Sequence, residues 1–217
     1  MPTSAPDPEI APFRWWRLFW RLALPPLRLL AGLGWQLRVV RESEFPSGPV
    51  IVAANHPSQL DPIFVGVAVD RPMRVLAVDG LWGVHRWLNV VLKGSASIPV
   101  TRDRAPLGAM RAAAGHLRAG GSIGVFPEGG VVDGWGSVDL HPSAAWLSLR
   151  SGAPVVPVAV VGSAAAYGRG ATRLRRSHVT VTIGSPLDPS AFLEDDDPSA
   201  AMMEAWGRWV GGRVGGK

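Results

Sequence analysis

The chain has 217 residues, 47% of them hydrophobic, which is enough to build the core of one sizeable domain and excludes a chain that is disordered throughout. It contains no cysteine, so disulfides, thiolate metal ligands and a cysteine nucleophile are excluded, and a reducing compartment fits this composition. The 22 basic residues outnumber the 17 acidic ones, and this net charge of +5 favours an anionic partner, either nucleic acid or a membrane surface.

The first forty residues contain a basic segment that is rich in tryptophan. Residues 1–12 are mostly proline and small residues, which predicts a disordered lead. Residues 13–24, FRWWRLFWRLAL, are predicted to form a helix in which three arginines share one face. Pro25-Pro26 is expected to end or kink this helix before a second apolar stretch at residues 27–37.

Beyond residue 41, predicted strands alternate with predicted helices, which indicates an α/β fold with a mostly parallel sheet flanked by helices. The clearest helix follows Asp103, which can cap it, and stops at Gly120-Gly121. We therefore divide the chain into an amphipathic N-terminal segment, 1–41, and an α/β domain, 42–217. The predicted strands are 49–54, 73–78, 97–101, 122–127, 153–162 and 178–184, and the predicted helices are 58–69, 81–92, 103–119, 142–151 and 199–210.

Polar clusters follow three of the predicted strands, at the end of a sheet where α/β proteins bind ligands. NHPSQLD (residues 55–61) follows the first strand, FPEGG (residues 126–130) follows the fourth, and Arg102 ends the third. A histidine with a pKa of about 6.5 acts as a base at physiological pH when a carboxylate fixes its ring and tautomer. His56 with Asp61 is therefore a candidate for removing a proton from a substrate hydroxyl, and a chance pairing is the alternative.

These three segments and a later apolar run at residues 155–161 form four blocks that appear in one order between residues 49 and 162. Here the chain resembles the glycerolipid acyltransferases, whose best-known members are the 1-acylglycerol-3-phosphate acyltransferases. NHPSQLD matches the N-H-x-x-x-x-D box of that family, SIPVTR matches its short apolar run ending in arginine, FPEGG its F-P-E-G box, and VVPVAVV its V-P-V run. Each block alone is a weak or moderate signal, but the combination is specific.

The resemblance implies an enzyme that transfers a fatty acyl group from acyl-CoA or acyl-carrier protein to a hydroxyl of a glycerolipid acceptor. The acceptor it points to first is the sn-2 position of 1-acylglycerol-3-phosphate, a step in phospholipid biosynthesis. His56 would be the general base and Asp61 its orienting partner. Neither a metal nor a separate cofactor is implied.

The resemblance also implies which residues hold the acceptor. Arg102 would bind its phosphate, since a guanidinium makes bidentate contacts with phosphate. Glu128, with the backbone amides of Gly129 and Gly130, would help to hold the acceptor. Asn55 would either fix the loop or assist the oxyanion.

Two departures from the family pattern concern the acceptor. The third box of the family usually continues F-P-E-G-T-R-S, whereas here FPEGGVVDG lacks the Thr, the Arg and the Ser. Many members also carry a lysine after the second strand, where this chain has Val78 and Asp79. Lys93, Arg104 and Arg169 are candidates to compensate.

These departures leave alternatives open. The acceptor is 1-acylglycerol-3-phosphate, another lysophospholipid, or a glycolipid, and a catalytically silent lipid-binding protein of the same fold is the alternative to an enzyme. A hydrolase ranks lower because no G-x-S-x-G elbow lies at a predicted strand-to-helix turn.

Long acyl chains on both substrates imply that the enzyme works at a bilayer surface. Tryptophans favour the bilayer interface, and arginines meet anionic headgroups while their stems lie along apolar surface. Residues 13–37 are therefore expected to bind the cytoplasmic face of a membrane, peripherally or monotopically, since no stretch has the roughly 18 uninterrupted apolar residues of a spanning helix. The alternative is that this segment packs on the core. Nucleic-acid binding is not expected, because the basic residues alternate with bulky apolar ones.

Overall fold

The structure, a computed structural model, describes residues 13–78, 80, 89, 92–100 and 107–215. Within these residues, one sheet of seven strands lies between two layers of helices. The strands are β1 (Arg38–Arg41), β2 (Val50–Ala54), β3 (Arg74–Val78), β4 (Ile98–Val100), β5 (Ser122–Val125), β6 (Val155–Val161) and β7 (Thr180–Ile183). The helices are α1 (Phe13–Trp35), α2 (Asp61–Val69), α3 (Leu107–Arg118), α4 (Ser143–Ser151), α5 (Ser163–Tyr167) and α6 (Pro198–Val214), and a 3-10 helix covers Pro189–Phe192.

The sheet has the strand order β1-β7-β6-β2-β5-β3-β4. Its neighbouring strands are parallel except for β6 and β7, which are antiparallel. The predicted α/β fold with a mostly parallel sheet is therefore confirmed. β2 lies in the middle and is buried along its whole length, which explains why its sequence, VIVAA, is apolar without interruption. The carboxyl ends of β2, β5 and β6 lie side by side at one edge of the sheet.

Each face of the sheet carries its own hydrophobic core. On one face, alternate side chains of β2 pack with Phe64 of α2 and with α1. On the other face, Ile51 packs with residues of α3, α4 and α6, among them the fully buried Trp206. This division follows from the strand geometry, because successive side chains of a strand point to opposite faces.

α1 is one continuous helix of 23 residues. It runs through Pro25 and Pro26, so of the two outcomes expected at these prolines, an end to the helix is wrong. A proline inside a helix removes a hydrogen-bond donor and leaves a carbonyl one turn earlier without its partner. Both prolines are exposed, and on that side of the helix water hydrogen-bonds such carbonyls.

The inner face of α1 is part of the core. Trp16 and Trp20 are buried, and an added Cβ on Gly66 of α2 would lie 3.0 Å from the Trp20 ring, so the two helices pack closely there. β1 follows α1 directly and pairs with β7 as an edge strand. The sequence did not predict β1, because its four residues, RVVR, are half charged and half apolar.

The remaining predicted strands and helices in the described part of the chain match observed ones, with ends that differ by a few residues. Residues 1–12, most of the predicted helix at 81–92, and Arg102 lie outside the described residues. In the described part of the chain, no helix is long and apolar enough to cross a bilayer.

Candidate active site

NHPSQLD forms the turn that leads from β2 into α2. β2 ends at Ala54, and Asp61 with Pro62 opens α2. Proline suits the first turn of a helix, where its missing N–H would have no intrahelical partner in any case. The chain therefore reverses direction within the six residues between Ala54 and Asp61, which brings Asp61 back towards His56.

The structure places His56 and Asp61 in direct contact. His56 Nδ1 lies 3.0 Å from Asp61 Oδ2, and the same oxygen accepts a 2.6 Å hydrogen bond from the Ser58 backbone N–H. The Asp61 side chain is 0% exposed, whereas that of His56 keeps 13% of its surface exposed. Because Nδ1 faces the carboxylate, Nε2 is the ring nitrogen left to exchange a proton with a bound molecule.

Opposing effects act on the pKa of the buried Asp61 carboxyl. Burial raises its pKa, while hydrogen bonds and charge from His56, together with the nearby Ser163 hydroxyl and the Ser58 backbone, lower it. A carboxylate in this position stabilises the imidazolium that forms when Nε2 takes up a proton. The pair is therefore suited to general-base chemistry.

The FPEGG turn holds His56 from the neighbouring strand. The Phe126 ring stacks on the imidazole, with centroids 4.1 Å apart and planes 25° apart. The Glu128 carboxylate accepts a hydrogen bond from the His56 backbone N–H, and the Val132 N–H donates to the His56 carbonyl at 3.0 Å. Both the ring and the main chain of His56 are therefore fixed by the segment that follows β5.

Glu128 and Gly129 both have structural roles in the FPEGG turn. Glu128 is 7% exposed, and burial raises the pKa of its carboxyl against the lowering effect of the His56 hydrogen bond. Gly129 has a φ of +72°, and an added Cβ would lie 2.7 Å from His141 Nε2, so this position requires glycine. The Gly129 N–H donates to the Phe126 carbonyl at 2.9 Å. Of the two backbone amides predicted to hold an acceptor, this one is thus used inside the turn, and that of Gly130 remains a candidate.

Asn55 extends the pairing of β2 with β6 through its side chain. Its Nδ2 donates to the Val160 carbonyl at 3.0 Å, and the Val160 N–H donates to its Oδ1 at 2.7 Å. The residue is 4% exposed. Of the two roles expected for Asn55, this geometry favours fixing the loop over assisting an oxyanion.

The short helix α5, after β6, is a support that the sequence analysis missed. The Ser58 hydroxyl and the Gln59 N–H both donate to the Tyr167 carbonyl, at 2.9 and 3.1 Å. Ser163, the first residue of α5, lies beside the Asp61 carboxyl. The signal that would have found it is its place: a serine just after the V-P-V strand lies at the same sheet edge as the histidine box.

The predicted cationic residues are only partly described. Arg102 and Arg104 lie outside the described residues. Arg169 follows α5 and its Nη1 lies 3.5 Å from Asp133 Oδ2, with both side chains exposed. Asp133 is next to Val132, which contacts His56, so Arg169 lies at the rim of the site. Lys93 is exposed.

The fold and the His–Asp site together define the class of the protein. A family model described as Acyltransferase matches residues 36–161, more than half of the chain. The chain therefore belongs to the acyltransferase family, and it is an O-acyltransferase.

Particular relatives agree with this class. The chain is 26% identical over 185 residues to the probable 1-acyl-sn-glycerol-3-phosphate acyltransferase of Mycoplasma pneumoniae, a match that covers 77% of this chain and 68% of that protein. Its fold is similar to the crystal structure of the 1-acyl-sn-glycerophosphate (LPA) acyltransferase PlsC from Thermotoga maritima. The TM-score is 0.69 at 21% identity, over 91% of this chain and 82% of that one.

Proposed function

We propose that this protein transfers a fatty acyl group from an acyl thioester, acyl-CoA or acyl-carrier protein, to a hydroxyl of a glycerolipid in phospholipid biosynthesis. The relative from Mycoplasma pneumoniae is named for 1-acyl-sn-glycerol 3-phosphate, and the Thermotoga maritima protein for 1-acyl-sn-glycerophosphate. Their names support the sn-2 hydroxyl of 1-acylglycerol-3-phosphate as the acceptor.

The contact between His56 and Asp61 is the observation that carries this proposal. Nε2 of His56 removes the proton of the acceptor hydroxyl while the hydroxyl oxygen attacks the thioester carbonyl. The imidazolium, stabilised by Asp61, then gives this proton to the departing thiolate. One ester and one free thiol are formed and His56 is regenerated, so these steps use no metal and no cofactor.

Other residues would bind and position the substrates. Arg102, which follows β4, would bind the acceptor phosphate, and the Gly130 amide would donate to the acceptor. Glu128 acts on His56 through the backbone hydrogen bond. Asn55 supports the loop from β6.

We further propose that α1 binds the cytoplasmic face of a membrane, with residues 13–37 lying along its surface. Five leucines of α1 are exposed to solvent, from 43% at Leu18 to 69% at Leu33, and four of them share the outer side of the helix. A row of exposed apolar side chains on a helix that also carries arginines is typical of interfacial helices. This leucine row consists of Leu18, Leu22, Leu29 and Leu33.

The test is thiol release from acyl-CoA in the presence of 1-acylglycerol-3-phosphate in mixed micelles. The wild type should release thiol and form a diacyl product, and His56→Ala should be slower by about 10²–10⁴ because the base is lost. His178→Ala, at an exposed position, is the matched control and should keep full activity. Equal rates for wild type and His56→Ala would contradict the proposal.

The choice of acceptor is tested in the same assay, because the residues after FPEGG depart from the family box. Val131 and Val132 stand where that box usually has an arginine and a serine, and Val132 is 5% exposed. A panel of lysophospholipids and glycolipids therefore accompanies 1-acylglycerol-3-phosphate. Release only with another acceptor would reassign the substrate, release without acceptor would indicate a hydrolase, and no release at all would indicate a silent lipid-binding protein.

A further inference from the structure

A cavity of about 470 Å³ opens at the edge of the sheet opposite to the His56–Asp61 site. It is lined by one side of α1, by the turn from Asp70 to Pro72 before β3, and by the start of β5 at Ser122. β5 leads from this cavity to the FPEGG turn. At about 3.3 Å per residue, its four residues separate the two sites by more than about 13 Å.

Arginine dominates the charge of this cavity. Among the described residues that line it, four are arginines and the acidic one is Asp70. Arg28 Nη2 forms an ion pair with Asp70 Oδ1 at 2.7 Å. We call the site the arginine cavity, and its arginines are Arg17, Arg21 and Arg28 of α1, here called the arginine row, and Arg71 of the turn after α2.

One more cation, Arg74, and a histidine, His116, lie just behind the lining. The guanidinium of Arg74, which is buried, lies 5.7 Å from the Trp16 ring, and His116 meets that ring edge-on with centroids 5.5 Å apart. Burial, Arg74 and Arg17 together lower the pKa of His116 to about 4. Burial and Arg17 likewise lower the pKa of Arg71. The cations around the cavity are thus arginines, and a bound anion would relieve the repulsion between Arg17 and Arg71.

The cavity also lies beside the surface that we propose to enter the membrane. The arginine row has the same spacing as the first three members of the leucine row, but each arginine precedes a leucine by one residue. One residue corresponds to a rotation of about 100° around a helix, so the two rows lie on adjacent sides of α1. When the leucine row enters the acyl region, the arginine row therefore lies at the depth of the lipid headgroups. At that depth the most abundant anion is lipid phosphate.

We propose that the arginine cavity binds the phosphate of an anionic membrane lipid, at a site separate from the one for acyl transfer. Arg21 reaches it from α1 and Arg71 from the turn after α2, so one phosphate contacts two elements of the fold. Guanidinium groups suit this ligand because they make paired hydrogen bonds to phosphate oxygens. The inference rests on the proposed membrane contact of α1 and not on the identity of the acyl acceptor.

The test is binding of the full-length protein to vesicles of phosphatidylcholine with and without a fixed fraction of phosphatidylglycerol. The wild type should bind the anionic vesicles more tightly. Arg21→Gln/Arg71→Gln should lower this affinity by about 25-fold, from about fivefold for each arginine. Arg111→Gln/Arg150→Gln, which removes two exposed arginines from α3 and α4, is the matched control and should bind as the wild type does.

Two further variants separate the cavity from folding and from catalysis. Asp70→Asn removes the one carboxylate among the described lining residues and should strengthen binding to anionic vesicles. His56→Ala should bind like the wild type even though acyl transfer is lost, so a failure of the proposed function leaves this test intact.

Three results would overturn the inference. One is equal affinity of the wild type for the two kinds of vesicle. Another is an equal loss of affinity for anionic vesicles in the Arg21/Arg71 variant and in its control. The third concerns free phosphate: if inorganic phosphate, titrated alone, binds the wild type as tightly as the anionic vesicles do, the cavity is a site for small anions and not for a lipid.

Discussion

Asp61 holds both the imidazole of His56 and the turn that carries it, because its Oδ2 accepts hydrogen bonds from the His56 ring and from the Ser58 backbone. The carboxylate thereby fixes which nitrogen of the ring faces the substrate. Its place at the start of α2 follows from the spacing of the box, in which a proline and a serine turn the chain back. The position of the Asp61 carboxylate, and with it the negative charge beside His56, is therefore set by neighbouring residues of one short segment.

Asp61→Asn should retain the fold and lower kcat by about 10²–10⁴, since an amide neither enforces the tautomer nor stabilises the imidazolium. Thiol release measures the rate, and circular dichroism checks the fold. Asp139→Asn, at an exposed position, is the control. An unchanged kcat in Asp61→Asn would show that the pair does not act in the reaction.

Asn55→Ala should reduce the free energy of unfolding by about 1–3 kcal/mol, because the buried N–H and C=O of Val160 both lose their partner. Urea unfolding measures the change. Gln59→Ala, whose side chain is exposed in the same turn, should have little effect. If the two variants have the same midpoint, the side-chain link between β2 and β6 contributes nothing to stability.

At this scale the sequence predicted the contact of His56 with Asp61 but not how the neighbouring residues are used. Glu128 bonds to the backbone of His56, and the Gly129 amide bonds within its own turn. Both uses depend on main-chain atoms, which have no residue-specific signal. Ser163 is a similar case, since it reaches Asp61 only because β2 and β6 are neighbours.

Among the elements, α1 has two faces with different roles. Trp16 and Trp20 on its inner face are buried in the core, and the Trp35 carbonyl accepts a hydrogen bond from the Val179 N–H at 3.0 Å. Deleting the whole segment would therefore expose core and disturb β7 as well as remove the proposed membrane contact. A test of membrane binding must change the outer face alone.

Leu22→Ser/Leu29→Ser/Leu33→Ser should weaken binding to phosphatidylcholine vesicles by about tenfold for each leucine, from about 1.5 kcal/mol of lost apolar transfer. The helix content should not change, because all three side chains are exposed. The matched control replaces three exposed leucines elsewhere, Leu107, Leu174 and Leu193, by serine. Equal binding by the two triple variants would place the membrane contact outside α1.

The sequence predicted most strands and helices because their apolar runs are long or strongly periodic. The sequence predictions were wrong where tertiary contacts outweighed a local sequence preference. β1 is short and carries arginines at both ends, and only its pairing with β7 makes it a strand. Pro25 and Pro26 normally end a helix, but the buried residues on either side of them hold α1 together.

For the whole molecule, the order of the strands is what no local pattern provides. β2 lies between β5 and β6, which follow it by about 70 and 100 residues. β7 then reverses direction beside β6, so that one part of the sheet is antiparallel. The family resemblance supplied the order of the blocks along the chain, but the structure supplies their arrangement in space.

The stability of the whole fold should fall in acid because of His116. Burial and neighbouring arginines lower its folded pKa to about 4, so between about pH 6.5 and pH 4 the unfolded chain binds a proton that the folded chain does not. Stability is therefore complete above about pH 6.5 and declines as the pH falls, by about 3 kcal/mol from this group.

His116→Leu should remove this part of the decline, and urea unfolding at a series of pH values measures it. His178→Leu, at an exposed position, is the control and should keep the wild-type slope. Parallel curves for the wild type and His116→Leu would contradict the assignment.

One link across the sheet has a consequence for the growing chain. The Trp206 indole N–H donates to the Ala53 carbonyl at 2.9 Å and so joins α6 to the central strand β2. Translation delivers β2 some 150 residues before Trp206, which covers it. A nascent chain that ends before Trp206 lacks this hydrogen bond and the cover of α6, so β2 reaches its full burial only late in synthesis.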